Sequence, residues 1–179
     1  SCLDLDKILP KKNIMCSRSF GNPVNSKTTI KDFITEYSIR AAEKVRQQNS
    51  RAQGIYVFLR TNRFKKEKQY NSGIMIGLNS PCCDTSVIIK LASKAIDQIY
   101  QPGYSYHKAG IMMLDLIPSD IHQKDLFENT TYSLSDQRME VIDSLNKKFG
   151  SGIVTHGKVR PKDKNKWKSR SFYLSPRYT

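Results

Sequence analysis

No stretch of this chain approaches the roughly 20 consecutive apolar residues of a membrane-spanning helix. The opening segment, SCLDLDKILPKK, lacks the charged-then-apolar pattern of a signal peptide. The default expectation is a soluble, cytoplasmic protein. Cysteine is sparse. Cys2, Cys16, Cys82 and Cys83 form no CxxC, and adjacent Cys82 and Cys83 are awkward partners for one disulfide. His107, His122 and His156 are scattered and form no HxxxH. Reduced, structural thiols and no zinc site are expected. The signatures GxSxG, HExxH and GxxxxGK[ST] are missing. No nucleophile, base and orienting group assemble elsewhere, so no catalytic residues are assigned. Asp4 and Asp6 make a lone DxD that can hold a divalent ion. Two carboxylates in a terminal segment before a proline are weak evidence for that, because acids there usually cap a turn.

Acids are also few. Thirty Lys and Arg stand against sixteen Asp and Glu, a formal net charge of +14, with a pI near 9.7. That balance points to an anionic partner, namely DNA, RNA or a membrane surface, with a merely solvated charged surface as the plain alternative. Hydrophobic residues at 38% suffice for a modest core.

The apolar spacing defines a run of elements. NIMCSRSF (13–20) reads as a strand. Residues 29–48 read as a helix with Thr29 and Asp32 as its capping signal. Ile30, Phe33, Ile34, Tyr37, Ala41 and Val45 form its apolar face. Gly54 ends the connection, and IYVFLRT (55–61) and IMIGL (74–78) follow as a hairpin with a long basic tip. Asp84 caps a second helix with Ile88, Leu91, Ala92, Ala95 and Ile99 inward, and Gly103 ends it. AGIMMLDLI (109–117) is apolar enough to be a central strand. The order predicts an α+β fold: a split β-α-β-β-α-β domain with one four-stranded sheet and two helices on one face. Pro118 closes it. Ser133 and Asp136 predict the start of a third helix with Met139, Ile142, Leu145 and Phe149 on its apolar side, stopped by Gly150. In the basic tail, Trp167 is expected either to pack on that helix or to order only on a partner.

A sheet of this topology keeps one face free of helices, and that face can follow a nucleic-acid backbone. Ser17, Arg18 and Ser19 on the first strand, with Arg60, Arg63, Lys65, Lys66 and Lys68 at the hairpin tip, are the candidate phosphate contacts. The aromatic strand signature of RNA-recognition domains is absent, which argues against base stacking on the sheet. Gln123-Lys124-Asp125-Leu126-Phe127 places two large apolar side chains in a polar loop. Either they tuck back onto the core or they insert into a partner's pocket.

KKNIMCSRSFG, RAAEKVRQQ, FLRTNRF and YHKAGIMMLDL resemble the little-finger domain of Y-family translesion DNA polymerases of the UmuC type. QKDLF is similar to that family's clamp-binding peptide, QLxLF, with Lys124 where Leu is usual. RMEVIDSLNKKFG, the WxxR pattern and SPRYT resemble the family's C-terminal extension. The resemblance implies a connector from the thumb (1–12), a DNA-binding little finger (13–118), a clamp-binding loop (119–132) using Gln123, Leu126 and Phe127, and the extension (133–179). It implies partners: DNA without sequence preference, the β sliding clamp, a processed UmuD dimer and the RecA filament. The metal-binding palm is expected to lie outside this chain. No cofactor is then expected here, and Mg²⁺ belongs to the parent enzyme. A free-standing basic nucleic-acid-binding regulator is the alternative.

Overall fold

The computed structural model describes residues 10–65, 68–121 and 131–157. Asp4, Asp6, Lys66, Gln123, Leu126, Phe127 and Trp167 lie outside them. Four strands and two helices alternate as β1 (Ile14–Val24), α1 (Lys27–Gln47), β2 (Ser50–Thr61), β3 (Asn71–Cys82), α2 (Thr85–Ile99) and β4 (Tyr106–Pro118), followed by α3 (Thr131–Phe149). The sheet order is β1-β4-β2-β3, and every neighbouring pair is antiparallel. The expected split β-α-β is therefore present, with β4 as the inserted strand between β1 and β2. Central strands are hydrogen-bonded on both sides, and the apolar run of β4 suits that place.

Both helices pack on one face of the sheet. All six residues expected on the apolar face of α1 are buried. Ile88, Ile89, Ala92, Ala95, Ile96 and Ile99 do the same for α2. From below, β2 offers Ile55, Val57 and Leu59, and β4 offers Ala109, Ile111 and Met113. Phe20, Phe33 and Tyr37 extend the core, with ring centroids 4.8 and 4.2 Å apart. Among the described residues, no helix is long and apolar enough to cross a membrane.

Several boundaries differ from the sequence expectation. Helix α1 starts two residues earlier, at Lys27, and is capped by Ser26, whose hydroxyl accepts from the Thr29 N–H. Thr29 thus lies inside the first turn. Gly54 sits within β2, where an added Cβ would come within 3.3 Å of the Ile76 carbonyl; glycine there allows close backbone approach. Asp84 is the N-cap of α2 as expected, accepting from the Ser86 N–H at 2.6 Å. Helix α3 begins at Thr131, so Ser133 is not its cap. Met139 is buried, but Phe149 at the end of that helix is exposed.

Polar contacts fasten α3 to the domain. Arg46 makes a two-pronged ion pair with Asp143 at 2.6 and 2.8 Å. Its remaining nitrogen reaches the Cys83 carbonyl at 2.8 Å. Arg51 pairs with Asp136. Asp84 accepts from Ser135 and, at 2.8 Å, from Arg138. Burial pushes the Asp84 carboxyl up, yet the hydrogen bonds from Ser135 and Ser86 outweigh it and hold the group below its usual value. Cys16, Cys82 and Cys83 are buried free thiols. Burial, aided by Asp136, pushes Cys83 up to about 12. All three are raised by burial and stay protonated, as structural thiols do.

Candidate nucleic-acid interface

Side chains alternate across a sheet, so the residues between the core positions form its open face. Strand register assembles that face row by row. Nearest the hairpin tip, Ser19, Lys108, Arg60 and Asn71 lie side by side. The next row is Ser17, Gly110, Phe58 and Gly73, and the third is Met15, Met112, Tyr56 and Met75. The face grades from basic at the tip to methionine and aromatic at the other end.

The glycines have a local cause. A Cβ on Gly110 would stand 2.4 Å from the Ser17 Cβ and 2.8 Å from the Phe58 ring. A Cβ on Gly73 would stand 2.3 Å from the Tyr56 hydroxyl. The rings of Phe58 and Tyr56 thus occupy the space two missing side chains leave, which keeps the middle of the face low. Phe58 is only 3% exposed, with the Arg60 guanidinium 5.0 Å from its ring centre. Its faces are not free for a base, whereas the Arg60 head stays exposed.

At the tip, Arg60, Arg63, His107 and Lys108 line one shallow concavity together with Ser19 and Asn71. None of the described residues lining it is acidic. Arg63 and Lys65 are exposed. Guanidinium, ammonium, hydroxyl and amide donors converging on a concavity whose described lining carries no carboxylate suit phosphate oxygens. Another groove, between α1 and α3, has the opposite character, with Glu43, Glu140 and Asp143 among its lining. Burial and the nearby Asp143 raise the Glu43 carboxyl above its usual range.

The structure gathers Ser17, Ser19, Arg60, Arg63 and Lys65 on the open face and its hairpin. Arg18 is not among them. It pairs with Ala109, a core residue, and shares its side of β1 with buried Cys16 and Phe20. Lys68 is exposed, three residues before the start of β3 at Asn71. Lys108, His107 and Asn71 were not legible as site residues, because only the long-range pairing of β4 with β1 and β2 brings them there. Among the described residues, no group of three or more His, Cys, Asp or Glu is placed to hold a metal ion.

Residues 11–126 match the impB/mucB/samB family C-terminal domain, and residues 137–179 match a domain of unknown function, DUF4113. The chain is 35% identical to the protein UmuC of Salmonella typhimurium over 99% of its own length and 42% of that protein. It is 32% identical to ImpB of Salmonella typhimurium and to MucB of Escherichia coli, covering 42% of each. Among solved structures, the insertion ternary complex of Dbh DNA polymerase aligns at a TM-score of 0.45 and 13% identity, over 59% of this chain and 29% of that one. The chain thus spans less than half the length of the curated relatives it matches. By the extent of the family match, which takes in all four strands and both sheet-covering helices, this UmuC-like chain belongs to the impB/mucB/samB family.

Proposed function

We propose that the chain is the DNA-holding module of a translesion DNA polymerase of the UmuC type, gripping the sugar-phosphate backbone with the open face of its sheet. The observation that carries this reading is the row Ser19, Lys108, Arg60 and Asn71 continuing into Arg63 and Lys65 at the tip, on a face that none of the described helices covers. Such contacts position a duplex and carry no sequence information. The metal-holding carboxylates and Mg²⁺ belong to the palm of the parent polymerase, so this chain binds DNA without extending it.

The reading extends to partners. Gln123, Leu126 and Phe127 form the docking peptide for the β sliding clamp, with Leu126 and Phe127 entering an apolar cleft and Gln123 at its rim. Lys124 in place of leucine makes that contact a weak, exchangeable one. The processed UmuD dimer and the RecA filament are the further partners implied by the resemblance, and the setting is SOS mutagenesis in the bacterial cytoplasm. Arg18, on the helix-covered side of the edge strand, drops out of the set that meets DNA, and Lys108 enters it.

Fluorescence anisotropy with duplexes of unrelated sequence tests the reading. Affinity should be alike for all of them. It should fall steeply with salt, with a slope near −0.9 for each phosphate neutralised. Arg60→Glu/Lys108→Glu should flatten that slope while leaving the melting temperature in place. Sequence-selective binding, or a slope the double variant leaves unchanged, contradicts it. For the clamp, calorimetry should show binding that Leu126→Ala/Phe127→Ala abolishes in a chain whose circular dichroism is unaltered; equal affinities would refute the docking role.

A further inference from the structure

The basic hairpin ends in a bare aromatic ring. Phe64 is 89% exposed, the most open of the large apolar side chains among the described residues. It is presented by an ordered turn. The Phe64 N–H donates to the Asn62 side-chain oxygen at 3.0 Å. The Gln69 amide donates to the Asn62 carbonyl at 3.0 Å and to the Lys65 carbonyl at 2.7 Å. A turn of this kind has no use for a large apolar residue; glycine, asparagine and aspartate are the types that help a chain reverse. The ring does not contribute to the core either.

Its surroundings suit a nucleic-acid strand. Arg63 and Lys65 flank it, both exposed, and the concavity it borders is lined by Arg60, His107 and Lys108. An exposed ring with both faces open, between cations, is the arrangement that single-strand binders use: bases stack on the ring while the cations meet the adjoining phosphates. A base inside a duplex has both faces already stacked, so it cannot offer one to Phe64. The geometry points to Phe64 as a stacking contact for an unpaired base, in a single-stranded segment that adjoins duplex held on the open face. This assignment rests on the proposed backbone-binding role of that face.

The test uses the full chain with two probes, a blunt duplex and the same duplex carrying a single-stranded thymidine overhang. Phe64→Ala should weaken binding to the overhang probe by about fivefold or more, the usual loss for one stacked base. Its affinity for the blunt duplex should stay within about twofold of wild type. In a Trp167→Phe background, Phe64→Trp should be quenched by the overhang probe and not by the blunt duplex. The variants should melt where the parent does, because the side chain is exposed. Unchanged affinity of Phe64→Ala for the overhang probe, with blunt-duplex binding intact, overturns the stacking contact alone. Equal quenching by both probes overturns the unpaired-base assignment. Absence of salt-dependent blunt-duplex binding in the wild-type chain overturns the backbone-binding role of the sheet instead, and is seen before any Phe64 variant is compared.

Discussion

Met112 and Met113 are neighbours in β4, and they point to opposite sides of the same sheet. Met113 is fully buried beneath the helices, while Met112 lies in the row with Met15, Tyr56 and Met75 on the side that none of the described helices covers. The covered side is made of branched aliphatic side chains, alanine and interlocked rings, and its purpose is cohesion. Apart from the packed Phe58 ring, the open side combines glycine, methionine, tyrosine and the cations Lys108 and Arg60, which contribute little to cohesion and leave a low surface with a basic end. One strand register sets both, since a slip of a single residue would exchange them.

The largest effect expected from this contrast is in stability. Met113→Ala should cost about 2–5 kcal/mol, through lost burial and the cavity left behind. Met112→Ala should cost less than about 1 kcal/mol. Urea unfolding of the two variants measures the difference directly, and equal losses would break the comparison.

Next come the glycines of the open face. Gly110→Ala should destabilise by about 1–3 kcal/mol, because the new methyl collides with Ser17 and the Phe58 ring. Gly77→Ala meets nothing within 4 Å, so it should be neutral or slightly stabilising in the same assay.

The attachment of α3 gives a third, comparable effect. Asp84→Ala removes the cap of α2 and the acceptor shared by Ser135 and Arg138, a loss of about 1–3 kcal/mol by thermal melting. DNA affinity at fixed salt should stay unchanged, since Asp84 is remote from the open face.

The smallest effect is a pH dependence. His156 lies beside Ser86. Burial lowers its pKa, and Arg46 and Arg138 add to the shift against the opposing pull of Asp84. A depressed folded value means that the unfolded chain takes up the proton first. The stabilising contribution is therefore present above about pH 6.5 and declines as pH falls from there through the folded value. His156→Asn should remove that part of the slope in unfolding midpoints measured between about pH 7.5 and 5.5; an unaltered slope would assign it to other groups.

How far the sequence anticipates this molecule depends on the range of the interaction. The periodic faces of α1 and α2 and the aliphatic half of β2 are legible because burial imposes a local spacing, and every inward residue expected of α1 is in the core. The Ser26 cap is less legible, since Thr29 offers an equally good local signal just before the first apolar residue. The side that Arg18 takes follows from Cys16 and Phe20 two residues away on either side, so alternation alone carries that information. The places of Lys108 and Asn71 follow only from which strand pairs with which. Phe149 illustrates the opposite limit: helical spacing marks it as inward, yet at the end of α3 the ring stays exposed.

The five methionines allow the central claim, that the open face is the surface that meets DNA, to be measured in one experiment. Met15, Met75 and Met112 lie on that face, Met113 beneath the helices and Met139 on the buried side of α3. Methyl-labelled methionine spectra should be recorded during titration with duplex DNA at low salt. The account predicts that the resonances of Met15, Met75 and Met112 shift with DNA and return as salt is raised, while those of Met113 and Met139 stay in place. Saturable binding that moves Met139 and leaves the three open-face methyls unshifted would contradict it.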